Sequence, residues 1–310
     1  MVKKFASRGK GKGITFERIV IAGIIISVLA IMLTLWGPLR KYRFAEDKKP
    51  AVQTGKQEPQ QKKTGPKDKK QIKETKKHTE SLMAGSFEKT SLIAIVIDDL
   101  GQDIKQAKEV FALSEKVTVA VMPGLAQSKN IANLAKQSGN EVLLHMPMEP
   151  LKNHEKTETP GTLSADMTPM AFLTTVSDDV ESVPGAVGVN NHEGSALTEN
   201  KEAMKFLMAE LKTRNLFFLD SLTNAKSVAY ATAIEFGMKA ARRDVFLDNE
   251  GDNPAYIRKQ LDELVEIARS RGKAIGIGHP HPATLGELRK WLAETDSQGI
   301  EIVPVSRLMQ

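Results

Sequence analysis

Residues Ile93 to Gly101 read Ile-Ala-Ile-Val-Ile-Asp-Asp-Leu-Gly, an apolar, β-branched run that stops at two adjacent carboxylates, Asp98 and Asp99. Such a run suits a buried strand of a parallel sheet, and α/β folds carry their chemistry where those strands end. Consecutive strand residues face opposite ways, so the two acids would serve different roles unless the chain turns there. The competing reading is a helix N-cap with a solvated neighbour, because a helical pattern begins near Asp103. Other apolar runs end in the same manner. The run 141–146 places His145 at its end and Glu149 four residues later, and both are acceptable zinc ligands. The run 186–191 leads into Asn190-Asn191-His192-Glu193-Gly194-Ser195, the densest polar cluster in the chain, where asparagines could orient a carbonyl or a sugar hydroxyl, or build a turn. Asp220-Ser221 closes the run 216–220, and Gly278-His279-Pro280-His281-Pro282 closes 274–278, offering one imidazole as general acid and the other as a structural group. Arg242, Arg243, Asp244 and Asp248 follow a sixth run as ion pairs or as substrate contacts. Each group has a capping or turn explanation by itself; their shared position at strand ends is what argues for one site. An Asp/His/carboxylate set suits a divalent ion such as zinc, which lowers the pKa of a bound water to about 7.

The elements that must position these groups alternate regularly. Strands are predicted over 93–98, 117–122, 141–146, 186–191, 216–220, 238–241 with an extension to 247, 274–278 and 300–305. Helices are predicted over 103–113, 127–138, 168–181, 199–213, 227–236, 253–271 and 284–297. That order implies crossover connections and a parallel sheet, and a deformed, closed or nearly closed (β/α) barrel of about seven strands is preferred to an open doubly wound sheet. Gly139, Gly237, Gly272 and Gly299 sit where helix C-caps belong. No Gly-x-Gly-x-x-Gly or Walker loop stands where a nucleotide fold would place it, which argues against a nucleotide partner. The longest irregular segment, Pro147 to Met167, reads as a substrate-facing loop.

Charge divides the chain. Residues 1–90 hold 21 Lys+Arg against 8 Asp+Glu, whereas 91–310 hold 23 against 30, so the net +6 belongs to the N-terminal segment and gives no support to a nucleic-acid-binding domain. Ile19 to Trp36 is 18 residues without a charge, long enough for one transmembrane helix; a cleaved signal peptide would have a shorter apolar core and a small-residue cleavage site. Lys3, Lys4, Arg8, Lys10, Lys12 and Arg18 favour a cytoplasmic N-terminus over residues 1–18. Residues 37–90, rich in Lys, Gln, Thr and Pro, read as a disordered basic linker. The expected arrangement is a single-pass inner-membrane anchor at 19–36 that carries a periplasmic domain over 91–310. The absence of cysteine excludes a disulfide framework and thiolate chemistry.

At Ile95-Val96-Ile97-Asp98-Asp99-Leu100-Gly101, His145-x-x-x-Glu149, Asn190-Asn191-His192-Glu193-Gly194-Ser195, Asp220-Ser221 and Gly278-His279-Pro280-His281-Pro282, the domain resembles the divergent polysaccharide deacetylases of bacterial envelopes. The resemblance covers essentially residues 91–310. It implies a deformed (β/α) barrel hydrolase that removes acetyl groups from N-acetylated sugars of an envelope polysaccharide or peptidoglycan. By the same resemblance Asp98 would be the general base, Asp99 a metal ligand and His279 or His281 the general acid. The chain departs from the mainstream enzymes, which carry a His-x-x-x-His pair where it has His145 and Glu149, and it has no Arg-Pro-Pro-Tyr segment. The coordination set would then be Asp99, His145 and either Glu149 or His192 around a divalent metal, zinc, with Asn190, Asn191, Ser195 and Asp220 facing substrate. The alternative is a glycan-binding or scaffold protein that keeps the barrel and has lost catalysis.

Overall fold

A computed structural model describes residues 90–151 and 159–310. The basic N-terminus, the anchor predicted at 19–36 and all of the linker but its last residue lie outside the described residues. Among the described residues no helix is long and apolar enough to cross a membrane.

The chain runs β1 (Ser91–Leu100), α1 (Ile104–Phe111), β2 (Thr118–Val121), α2 (Ser128–Gln137), β3 (Val142–Met148), α3 (Pro169–Ser182), β4 (Gly188–Glu193), α4 (Lys201–Thr213) and β5 (Phe217–Asp220). It continues through α5 (Ala229–Glu235), β6 (Ala240–Arg242), β7 (Val245–Phe246), α6 (Pro254–Arg271), β8 (Lys273–Gly278), α7 (Pro282–Leu292) and β9 (Ile300–Ile302). The predicted alternation is present, and its polar caps are visible: Asp103, Thr168, Asn200 and Asn253 accept backbone N–H bonds at the starts of α1, α3, α4 and α6. Asp103 therefore takes the capping role that was the rival explanation for Asp98 and Asp99.

All strand pairs are parallel, in the order β6-β5-β4-β3-β2-β1-β8-β7, with β9 beside the first half of β1. The two edge strands, β6 and β7, are separated in sequence by Arg243 and Asp244 alone. Arg243 N donates to Asp220 O on β5 at 3.0 Å, and Asp244 N donates to Ile275 O on β8 at 2.9 Å. A sheet whose opposite edges are joined by two residues must curl until those edges nearly meet. Among the described residues no pairing joins β6 to β7, so the barrel stays open at this seam. The strand predicted over 238–247 is thus two strands on opposite edges, and the sheet has nine strands rather than about seven, because the short β7 adds an edge and the short β9 pairs with the start of β1.

Side chains alternate between two apolar layers. Ile93, Ile95 and Ile97 of β1 share a cluster with helix residues such as Ala107, Ile131 and Leu264. Ala94 and Val96 belong instead to an interior cluster with Leu143, Phe217, Leu219, Ile275 and Ile277. Full burial on both faces is why β1 is unbroken Ile, Ala and Val, each large side chain contributing roughly 1.5–3 kcal/mol. The parity of a residue thereby states whether it faces the helices or the barrel interior.

Candidate active site

Interior parity carries a polar group to the C-terminal mouth from each of several strands. Asp98 follows Ala94 and Val96; His145 follows Leu143; His279 follows Ile275 and Ile277. Asn190 is paired in register with His145, and His192 with Pro147. Asp99 would face the helices by parity, but its backbone is left-handed at φ 59, and the pairing of β1 with β2 slips between Ile97 and Leu100. This turn brings the second acid to the same mouth, so the two adjacent carboxylates share one pocket rather than opposite faces. For an L-residue that backbone costs of order 1–3 kcal/mol, a strain that concentrates at functional sites.

Asp99 Oδ1 lies 3.1 Å from His145 Nε2 and 3.0 Å from His192 Nδ1, and the two nitrogens are 3.2 Å apart. Despite that proximity Asp99 Oδ1 is buried without a properly directed hydrogen-bond donor. Three ligand-type atoms thus converge on one another rather than on partners elsewhere, and Asp99, His145 and His192 form a group able to hold a metal ion. Donors on a tetrahedral ion with bonds of about 2.0–2.1 Å stand about 3.3 Å apart, so a divalent cation fits this set. The second sphere is equally specific. Asn190 Nδ2 donates to the Asp98 carboxylate at 2.9 Å, which turns Asn190 Oδ1 toward His145 Nδ1 at 3.0 Å. An amide oxygen can only accept, so His145 carries a proton on Nδ1 and its Nε2 is left for Asp99 or an ion.

Asp98 is 3% exposed, with Oδ2 3.6 Å from His145 Nε2. Burial raises its pKa above the ordinary carboxylate value, with Asp99 adding and His145, His279 and Asn190 opposing. For Asp99, burial is outweighed by the close imidazoles of His145 and His192, whose positive charge holds its carboxyl well below the usual range. On the other side of the mouth His279 Nε2 is 3.7 Å from Asp99 Oδ2, while His279 Nδ1 donates to Asp248 Oδ1 at 3.0 Å. Burial would depress His279, but the Asp248 bond and the charges of Asp99, Asp248 and Asp98 push it up to about 9. Asp248 Oδ2 also accepts from His279 N and Thr284 Oγ1, so the ring is fixed at its back and presents Nε2 to the pocket. His281 is exposed, its ring centroid 5.7 Å from that of His279. Asp248, His279 and His281 form a second group that could hold an ion, although both Asp248 oxygens already accept hydrogen bonds.

Apart from Asn190, the remaining predicted residues are directed elsewhere. Glu149, offered as an alternative ligand, sits one residue beyond β3, and its Oε2 accepts from Ser164 Oγ and Ala165 N; His192 stands with Asp99 and His145 instead. Asp220 has the parity of the outward-facing Phe218, and its oxygens accept from Leu222 N, Ser227 Oγ and Tyr230 N, so it builds the turn after β5. Asn191 joins Ser221 N to Glu193 O. Ser195 Oγ accepts from Leu151 N. These two brace the mouth, and Asn190 braces it while touching both Asp98 and His145. The loop predicted from Pro147 begins later, because β3 runs to Met148 and Leu163 forms a bridge with that residue. Sequence reasoning left Asp248 among several charges; its position just past β7, one more strand end, was the available signal. Phe246, edge-on to His279 with centroids 5.3 Å apart, carried no signal.

An incompletely closed parallel barrel with acids and imidazoles gathered at its C-terminal mouth defines the class. Residues 95–309 match the divergent polysaccharide deacetylase family, and the chain belongs to it. Uncharacterized protein YibQ of Escherichia coli (strain K12) is 39% identical over 198 residues, 64% of this chain and 61% of that protein, so the chain spans about three fifths of this relative's length. An uncharacterized protein of Haemophilus influenzae (strain ATCC 51907 / DSM 11121 / KW20 / Rd) is 36% identical over 218 residues, 70% of this chain and 76% of its own. The crystal structure of an uncharacterized protein from Agrobacterium tumefaciens C58 superposes with a TM-score of 0.67 at 28% identity, covering 71% of this chain and 89% of that one.

Proposed function

We propose that this protein is a zinc-dependent hydrolase that removes acetyl groups from the amide of an N-acetylated sugar in an envelope polysaccharide or peptidoglycan. The observation that carries the reading is the convergence of Asp99 Oδ1, His145 Nε2 and His192 Nδ1 within 3.2 Å of one another, with Asp98 and His279 at the same mouth. Those three residues would hold the ion. When bound, a divalent ion supplies Lewis-acid polarisation of an acyl oxygen and eases the ionisation of water.

Asp98 takes the proton of the attacking water; its carboxyl, raised above the ordinary value by burial, moves toward the range a general base needs. Asn190 holds Asp98 Oδ1 and so leaves Oδ2 to face the reacting groups. His279, protonated on both nitrogens, delivers the proton on Nε2 to the leaving amine as the carbon–nitrogen bond breaks, while Asp248 retains Nδ1–H and the ring's orientation. The location that goes with this reading is periplasmic, behind a single inner-membrane helix at 19–36, supported by the uncharged run there and the basic residues before it.

The test is elemental analysis of the purified protein together with acetate release from chitooligosaccharide and peptidoglycan. Stoichiometric zinc, lowered by Asp99→Ala and by His145→Ala, with acetate released by the parent chain, is the expected result. Zinc content that neither substitution changes would show that the ligands are misassigned. Sugar binding without acetate release would favour the glycan-binding alternative.

A further inference from the structure

The seam between β6 and β7 opens beside the reactive groups. A cavity of about 400 Å³ lies there, in the range usual for small-ligand sites. Its walls come from the turn after β5, the β6–β7 crossing and one face of α6, and two of these walls reach the groups described above. Ser221 Oγ is 3.3 Å from the Asn190 Nδ2 that holds Asp98. Phe246 packs against His279.

The charges in the cavity are largely committed. Arg243 gives Nε and Nη2 to Ser221 O and Leu222 O, and its guanidinium lies over Phe246 at 4.8 Å. Asp244 is held by Arg271 and by Ile275 N. Glu263 accepts from Gln260. The groups left to a ligand are neutral: among the described residues the Asn249 amide and the Tyr256 hydroxyl have no hydrogen-bond partner. Free amide and hydroxyl groups beside aromatic side chains, with the nearby charged groups already hydrogen-bonded within the protein, suit an uncharged polyhydroxylated ring better than an ion or a phosphate.

We infer that the seam cavity is a subsite for the sugar ring adjoining the one whose acyl group is removed, so the glycan chain leaves the barrel through the open seam. This rests on the hydrolase reading and adds to it a direction for the glycan and two recognition residues, Asn249 and Tyr256.

The test is calorimetric titration of the purified full chain with N-acetylglucosamine and with chitotetraose. Chitotetraose is expected to bind about tenfold more tightly than the single sugar. Tyr256→Ala and Asn249→Ala should each weaken chitotetraose by about three- to tenfold and leave the single sugar unaffected. Asn249 is exposed and Tyr256 partly so, and unchanged melting curves would show that neither variant loses the fold. Equal affinity for the two probes, or chitotetraose affinity unchanged in both variants, would overturn the subsite and leave the hydrolase reading standing. Binding of neither probe would overturn both.

Discussion

β1 and β5 each carry an aspartate followed by a polar residue at or near the strand end, yet the two do different things. Asp98 keeps interior parity, touches His145 and Asn190, and is followed by an acid whose backbone turns into the left-handed region, leaving Asp99 Oδ1 without a directed donor. Asp220 keeps outward parity, is fully buried, and its two oxygens accept three hydrogen bonds from Leu222, Ser227 and Tyr230. A strand-end carboxylate is therefore chemically available only if it faces the barrel interior and the protein has not already satisfied it. The strand end is shared; parity and saturation separate the reactive acid from the structural one.

The widest separation should come from Asp98→Asn. If Asp98 is the base, turnover falls by roughly 10²–10⁴-fold while zinc content and melting temperature stay close to the parent's. Full turnover in that variant would place Asp98 with Asp220 on the structural side. Next in size is Asn190→Leu, which removes the acceptor that orients His145 and should weaken zinc about 10–100-fold, read by competition with a chelator; undiminished affinity would mean that the ring is held by packing alone. Asp220→Asn is the converse experiment. Placing amide hydrogens against the hydroxyl and N–H donors of Ser227 and Tyr230 should cost about 1–3 kcal/mol of stability in denaturant melts, with zinc content intact. A variant as stable as the parent would erase the distinction.

A third carboxylate sharpens the comparison at the smallest scale. Asp179 on α3 is buried beneath Gly161, as Asp220 is buried beneath its turn, but its Oδ2 has no hydrogen-bond partner. Burial, reinforced by the charge of Asp178, pushes its pKa up to about 8. A carboxyl whose pKa is raised on folding contributes most below its unfolded value near 4, and that contribution is lost as pH rises through about 8. Asp179→Asn, which cannot ionise, should raise the melting temperature by a few degrees at pH 8 and by much less at pH 5. A gain equal at both pH values would show that Asp179 is ionised throughout.

Much of this was legible before any coordinates. The repeating apolar runs and the glycines at 139, 237, 272 and 299, all with positive φ, are local features set by backbone geometry and period. The period of two also reports that His145 shares a face with Leu143 and that Asp220 shares one with Phe218. What local pattern could not supply was everything that depends on which strand lies beside which. The choice of His192 over Glu149 follows from the register of β3 with β4, and the pairing of His279 with Asp248 from β7 lying beside β8. The division of residues 238–247 between opposite edges follows from the curl of the whole sheet.

The amino-acid sequence by itself determined the elements and the polar residue at each strand end, because helix and strand periodicity, capping and turn preference act over a few neighbours. The tertiary structure alone decided which of those residues meet, that Asp99 turns into the mouth beside Asp98, and that the barrel stays open at one seam. Register, closure and hydrogen-bond saturation are set by partners tens to hundreds of residues away in the chain, and no local preference encodes them.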